Sequence, residues 1–305
     1  MIFEKYRAGF DGHKKHGLWS IGKTILNVLF GRAEKLGLIH RYEQADKYYP
    51  PIKGKNIQVD DLLRMSSGIE WIEEDKDDLI NSDSWFGMYS KKAYRDMALY
   101  AAQKNLSHTP GQKFNYSSAD SIILSAVLRG ALGDKKYLRF AWDEFAEPLG
   151  IKSLSIERDL KKNLIVHGSA YLSSYDIARL GLFLLRDGQV EGQELLPSDW
   201  IAYTSQLSPS QKNPPTEGDR NIQNNQAYGV QIWLNKKRPQ DAHRPYPSLP
   251  DNALIGMGTR GQVLLILPDE KIVVVRTATD TELLLSVRKN YRKNMFELFY
   301  NSLKR

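Results

Sequence analysis

Two residue patterns overlap in HGLWSIGKT, residues 16–24, and each implies a different chemistry. From Gly17 the stretch spells G-x-x-x-x-G-K-T, the pattern of a phosphate-cradling loop. From Ser20 it spells S-x-x-K, a hydroxyl nucleophile with an amine one helical turn on. A phosphate loop needs a buried parallel strand running into its first glycine, so that backbone N–H groups and a helix N-terminus converge on the anion. The charged segment DGHKKH leads into Gly17 instead, which argues against nucleotide binding. GMGTRG, residues 256–261, spells the dinucleotide pattern G-x-G-x-x-G, but the strand-like QVLLILP follows where a helix has to begin. LWSIG lacks the first glycine of a G-x-S-x-G elbow, since Leu18 stands there. His13 and His16 are three apart with no third ligand cluster in the sequence, so no metal centre is expected.

The serine–lysine reading is chemically coherent. A serine hydroxyl is a poor nucleophile until a base takes its proton. Residues three apart on a helix share a face, which brings the Lys23 amine to Ser20 Oγ. An ammonium cannot act as that base, so the apolar surroundings of the helix are expected to supply the neutral amine. Ser20 also stands at the expected helix start, where free N–H groups favour negative charge. Its own N–H is therefore expected to form half of an oxyanion hole.

Those groups must be positioned by a helix over residues 20–39, apolar on most sides through Ile25, Leu26, Val28, Leu29, Phe30, Ala33 and Leu36. Before it, MIFEKYRAGF alternates and reads as a strand entering a turn. VDDLLRMSSGI reads as a short helix, residues 70–84 as an acidic loop-like stretch, and residues 91–104 as a further helix. A turn-rich loop, SHTPGQKFNYSS, precedes a helix through ADSIILSAVLRGAL that Ser118 is expected to cap. Residues 137–147 and 173–187 read as helices, and AYGVQIWL as a strand between two long polar loops, about 205–226 and 236–252. GQVLLILPDEKIVVVRTA reads as a hairpin, and a terminal helix is expected to bury Val287, Tyr291, Phe296, Leu298, Phe299 and Leu303. The layout predicts an α/β (α+β) fold, with an antiparallel sheet from both chain ends and an inserted helical region. The α/β part is placed at about 1–45 and 225–305, and the helical part at about 46–224.

Four segments, in order along the chain, resemble the penicillin-recognising serine hydrolases: LWSIGKT, TPGQKFNYSSAD, LSSYDIARLGLFLLRDG with GQELLPSDW after it, and GMGTRGQVLLILP. That superfamily holds class C β-lactamases, D-alanyl-D-alanine carboxypeptidases, related esterases and 6-aminohexanoate-oligomer hydrolases. The resemblance implies a β-lactamase/transpeptidase-like fold in one domain, 1–305. It implies that Tyr116, in the P-G-x-x-F-x-Y signature, joins Ser20 and Lys23 and shares the proton with the amine. It places the third motif of the superfamily at Gly256-Met257-Gly258, with the Thr259 N–H, or that of Gly258, completing the oxyanion hole beside the Ser20 N–H. Glycines suit such a position because substrate approaches the backbone closely.

The chain departs from that pattern at two positions. Gly256 replaces the cationic or imidazole residue of the third motif, and Ser118 replaces the asparagine of Y-x-N. Both losses argue against efficient β-lactam hydrolysis, and the glycine-rich G-x-x-G-Q ending favours the 6-aminohexanoate-oligomer branch. Ser118, Gly256, Gly258, Arg260 and Tyr246 are the expected substrate contacts, with His243 and Arg244 on a loop that rims the pocket. Relatives carry a helix and a strand ahead of the first strand read here, so the chain is expected to begin mid-fold.

The totals constrain the partner. A +7 formal charge spread along 305 residues, densest in VRKNYRKN, reads as a solvated basic face rather than a nucleic-acid surface. No uninterrupted apolar run suggests a membrane span. Zero cysteines exclude disulfides, thiolate metal sites and a thiol nucleophile, leaving the compartment open. A small ester, amide or peptide-like substrate is expected, with no cofactor, and acyl transfer through Ser20. A β-lactamase or D-alanyl-D-alanine carboxypeptidase is the alternative within the superfamily. A catalytically idle ligand-binding protein on the same fold is the alternative outside it.

Overall fold

Apolar side chains around most of its circumference leave the segment after Ser20 no wet face, and helix α1, Gly22–Lys35, is buried over most of its length. The computed structural model describes residues 1–73, 85–90, 93–212, 222–280 and 291–303. A short strand β1, Lys15–Gly17, and a 3-10 turn, Trp19–Ile21, lead into α1. Then come α2 (Val59–Leu63), α3 (Trp85–Met88), α4 (Met97–Ala102), α5 (Ser118–Leu132) and α6 (Asp134–Ala141). These are followed by β2 (Ser155–Ile156), β3 (Ala170–Ser173), α7 (Ser174–Leu185), β4 (Gln189–Val190), β5 (Gln193–Glu194) and α8 (Trp200–Thr204). The chain ends with β6 (Trp233–Leu234), β7 (Leu254–Gly258), β8 (Gln262–Leu267), β9 (Ile272–Arg276) and a terminal helix α9 (Tyr291–Leu303).

The main sheet is antiparallel, in the order β6-β7-β8-β9, with Gly256 paired to Leu264 and Leu265 to Val274. Strand β8 shows why QVLLIL is apolar throughout rather than alternating. Leu264 and Ile266 enter the core shared with α1, α5 and α7, while Val263, Leu265 and Leu267 enter a second core with Tyr246 and Phe296. Helix α7 covers one face and α9 the other, so the strand is buried on both sides.

Several expectations change here. Residues 1–10 form no strand of that sheet: nearly all are exposed, and Glu4 instead accepts hydrogen bonds from the Tyr6 and Tyr175 hydroxyls. The four-stranded sheet is thus built from residues 233–276, and the N-terminal contribution is β1, paired with β3 in a separate small sheet. Of AYGVQIWL only Trp233–Leu234 is strand, because Gln231 adopts a positive φ of 53° and its N–H bonds the Leu63 carbonyl. Strand β3 pairs with β1, and α7 packs on β8 and β9. In α9, Phe296 is buried but Leu298 is 74% exposed, and Val287 lies outside the described residues.

Helix α5 is capped one residue earlier than expected. Ser117 Oγ accepts the Asp120 N–H at 3.1 Å, which releases the Ser118 hydroxyl for other partners. Asp120 is buried and accepts from Ser67 Oγ at 2.6 Å. Burial raises its carboxyl from 3.8 to about 8. A raised carboxyl contributes its stability below about pH 4 and loses that contribution as pH climbs toward 8. Asp120→Asn is therefore expected to melt on the order of 5 °C above the parent at pH 8 and level with it at pH 4, by calorimetry.

Candidate active site

Ser20 lies in the 3-10 turn before α1, half-buried, and the residue ahead of it is strained. Trp19 has φ 49°, a region disfavoured for a bulky side chain. Lys23 is 1% exposed, on the first turn of α1. Its Nζ donates to Ser20 Oγ and to Ser118 Oγ, each at 3.2 Å, and lies 4.7 Å from the centroid of the Tyr116 ring. The three groups expected to act together therefore share one buried cluster.

Tyr116 is held by what surrounds it. Its ring stacks on Trp233 of β6 at 4.8 Å, meets Tyr228 edge-on, and its N–H donates to Asn224 Oδ1 at 2.9 Å. A Cβ on Gly258 would lie 2.3 Å from the Leu18 carbonyl oxygen, and one on Gly256 would meet the Ile21 side chain at 3.6 Å. The end of β7 thus rests directly against the turn that carries Ser20, with Thr259 the next residue. Gly258→Ala must push a backbone carbonyl aside, so it is expected to cost about 1–3 kcal/mol of stability. Urea melts check it.

The remaining expected contacts divide. Arg260 follows with φ 63° and is exposed, its guanidinium carbon 5.8 Å from the ring centroid of Trp19, one residue from Ser20. Tyr246 is instead a core residue, 7% exposed, with its hydroxyl at Met257 Sδ and its ring edge-on to Phe296. Packing behind β7 gives it a supporting position rather than a surface open to substrate. His243 is exposed, and Arg244 donates to the Pro247 carbonyl at 3.1 Å. Ser118 is 1% exposed, and its hydroxyl is engaged by Lys23 and Glu73, both buried. The phosphate-loop pattern fails on topology, because β1 is antiparallel in its sheet, and GMGTRG lies on the β7–β8 connection.

Two residues of the cluster carry no signal in the sequence. Glu73 is 7% exposed, with Oε1 3.9 Å from Lys23 Nζ. It accepts from Ser118 Oγ at 2.5 Å, Ser118 N–H at 2.8 Å and Trp71 Nε1 at 2.7 Å. His167 is buried, with neither ring nitrogen hydrogen-bonded among the described residues. Burial, then the charge of Lys23, pushes its imidazole well below the ordinary range, so it stays neutral. A cleft lined by Gln58, Asp61, His108 and Thr109 on the helical side contains none of Ser20, Lys23 or Tyr116.

The arrangement is a hydroxyl, an amine and a phenol ring drawn together beside the end of β7, with a buried carboxylate close to the amine. A family model described as Beta-lactamase matches residues 4–294. The 6-aminohexanoate-dimer hydrolase of Paenarthrobacter ureafaciens is 22% identical over 208 residues, 66% of this chain and 53% of that protein. The chain thus spans about half the length of that curated relative. Among solved structures, EstCE1, a hydrolase with promiscuous acyltransferase activity, superposes with TM-score 0.68 at 15% identity, covering 90% of this chain and 82% of that one. A D-stereospecific amidohydrolase from Streptomyces superposes with TM-score 0.61 at 16% identity, covering 92% and 88%. The chain belongs to the beta-lactamase family, and these relatives are hydrolases.

Proposed function

We propose that this protein is a serine hydrolase that cleaves an ester or amide of small-molecule size by acyl transfer. The observation that carries the reading is the Lys23 amine, buried, 3.2 Å from Ser20 Oγ and over the Tyr116 ring. Ser20 attacks the carbonyl carbon as its proton passes to the Lys23–Tyr116 pair. The N–H groups of Ser20 and Thr259 hold the negative charge that develops on the carbonyl oxygen. The pair returns the proton to the leaving alcohol or amine, and water releases the acyl group by the same steps in reverse. Gly258, which has no Cβ to meet the Leu18 carbonyl, lets the end of β7 rest against the turn that carries Ser20, which supports this pairing of donors. Arg260 and Trp19 face the incoming substrate.

Gly256 supplies neither ammonium nor imidazole beside the site, which favours esters and linear amides over β-lactams. Short-chain p-nitrophenyl esters are expected to turn over with an initial burst, while nitrocefin remains uncleaved on the same timescale. Rapid nitrocefin cleavage would move the protein to the β-lactamase reading. Failure on esters, anilides and nitrocefin alike would favour a ligand-binding role on the same fold.

A further inference from the structure

Resting on that reading, we infer that Glu73 is a proton-holding residue that frees the Lys23 amine through the Ser118 hydroxyl. An ammonium has no lone pair with which to take the proton of Ser20. A carboxylate 3.9 Å from Lys23 Nζ favours the ammonium, while the burial of both groups, 1% and 7% exposed, opposes the separated charges. Ser118 Oγ stands between them, 3.2 Å from Lys23 Nζ and 2.5 Å from Glu73 Oε1. Lys23 donates to that oxygen, and that hydroxyl donates to the carboxylate, so the two hydrogen bonds run in one direction.

The transfer is balanced. A proton leaves Lys23 Nζ for Ser118 Oγ as the Ser118 proton moves to Glu73 Oε1. The ammonium–carboxylate pair becomes an amine and a carboxylic acid, with the serine unchanged and no net change in charge. The neutral amine then takes the proton of Ser20 as Oγ attacks. Oε2 is already occupied by the Ser118 N–H and by Trp71 Nε1, which leaves Oε1 as the oxygen to be protonated. The one-residue shift of the α5 cap to Ser117 is what makes the Ser118 hydroxyl available.

Other groups around this pair are Tyr116, the neutral His167, Tyr89, Tyr228 and Asp120. The phenols of Tyr89 and Tyr228 are raised by burial first and by the charge of Glu73 among smaller causes. Burial raises the Asp120 carboxyl to about 8, and repeating the profile in Asp120→Asn separates its contribution. His167 stays neutral over the working range and contributes no limb there.

The test compares wild type, Glu73→Gln and Ser118→Ala by kcat/KM for a p-nitrophenyl ester from about pH 5 to 10, with melts to verify folding. Glu73→Gln is expected to lower kcat/KM about 10²-fold at neutral pH and to move the acid limb upward by about one pH unit or more. Ser118→Ala is expected to slow turnover comparably while leaving the acid limb in place, because the carboxylate remains. The rate in mixtures of H2O and D2O should curve with deuterium fraction in wild type and run straight in Ser118→Ala, reporting more than one proton in motion. Rates within threefold of wild type in either folded variant, or a straight dependence in wild type, would overturn the relay. If Glu73→Gln does not fold, Ser118→Ala and the isotope series decide the matter. Wild type that hydrolyses no ester, anilide or nitrocefin would refute the acyl-transfer reading itself, a different outcome from a relay that fails in an active enzyme.

Discussion

Ser20→Ala is expected to leave the fold in place and to lower ester hydrolysis about 10⁴-fold or more. The hydroxyl it removes is half-buried and accepts one hydrogen bond from Lys23, so its structural contribution is of order 1 kcal/mol. Lys23 keeps its contacts with Ser118 and Glu73, and no buried charge is stranded. Chemistry behaves differently, because the covalent route has no substitute: a methyl group cannot attack a carbonyl. Under the proposed mechanism the Ser20 and Thr259 N–H groups persist in the variant and set whatever residual rate remains. Measured side by side, a melting temperature within about 2 °C of the parent and an absent burst is the expected pair of results. A variant that keeps more than about one per cent of the rate would place the nucleophile elsewhere.

Gly22→Ala is expected to have the largest effect on stability. A Cβ at that position would stand 1.7 Å from the Val166 carbonyl oxygen and 2.9 Å from its carbonyl carbon. Both atoms are backbone, so no rotamer change relieves the overlap. The Val166 segment is itself tied down, with the Ile165 N–H donating to the Glu157 carbonyl at 2.9 Å and the Ser169 N–H to the Ile165 carbonyl at 2.8 Å. Either α1 or that segment must move, and both lie in the core. A loss of about 3 kcal/mol or more follows, read as a fall of roughly 6–12 °C in the melting temperature. Because Gly22 sits between Ser20 and Lys23, turnover should fall with it. A melting temperature within about 2 °C of the parent would show that the helix start is looser than described.

The parts legible in the sequence are those whose meaning is local. Ser20 and Lys23 are three apart on a helix, and a helix without a wet face announces its own burial. The hairpin of β8 and β9 was equally plain, since Pro268-Asp269-Glu270 separates two β-rich runs. The parts that were not legible depend on distant partners. Glu73 stands in an acidic run that looks like solvated loop, and its burial arises from contact with Ser118, 45 residues away. Ser117 and Ser118 are equally good caps by composition, and the choice between them is settled by the pull of Glu73 and Lys23 on the second hydroxyl. Alternation misled at both ends: nearly all of residues 1–10 stay exposed, Ile2 and Phe3 included, and Leu298 is on the wet side of α9 although its neighbours Phe296 and Phe299 pack inward. Tyr246 was drawn toward the site by its place in a long loop, yet its aromatic ring finds a better environment in the second core.

One measurement addresses the centre of the account. Wild-type protein is incubated with a fluorophosphonate, digested, and its peptides mapped by mass spectrometry. The account predicts one phosphonyl group per chain, carried by the oxygen of Ser20 and absent when Lys23 is replaced by Met. A label at any other residue, or no label from a folded protein, would contradict it.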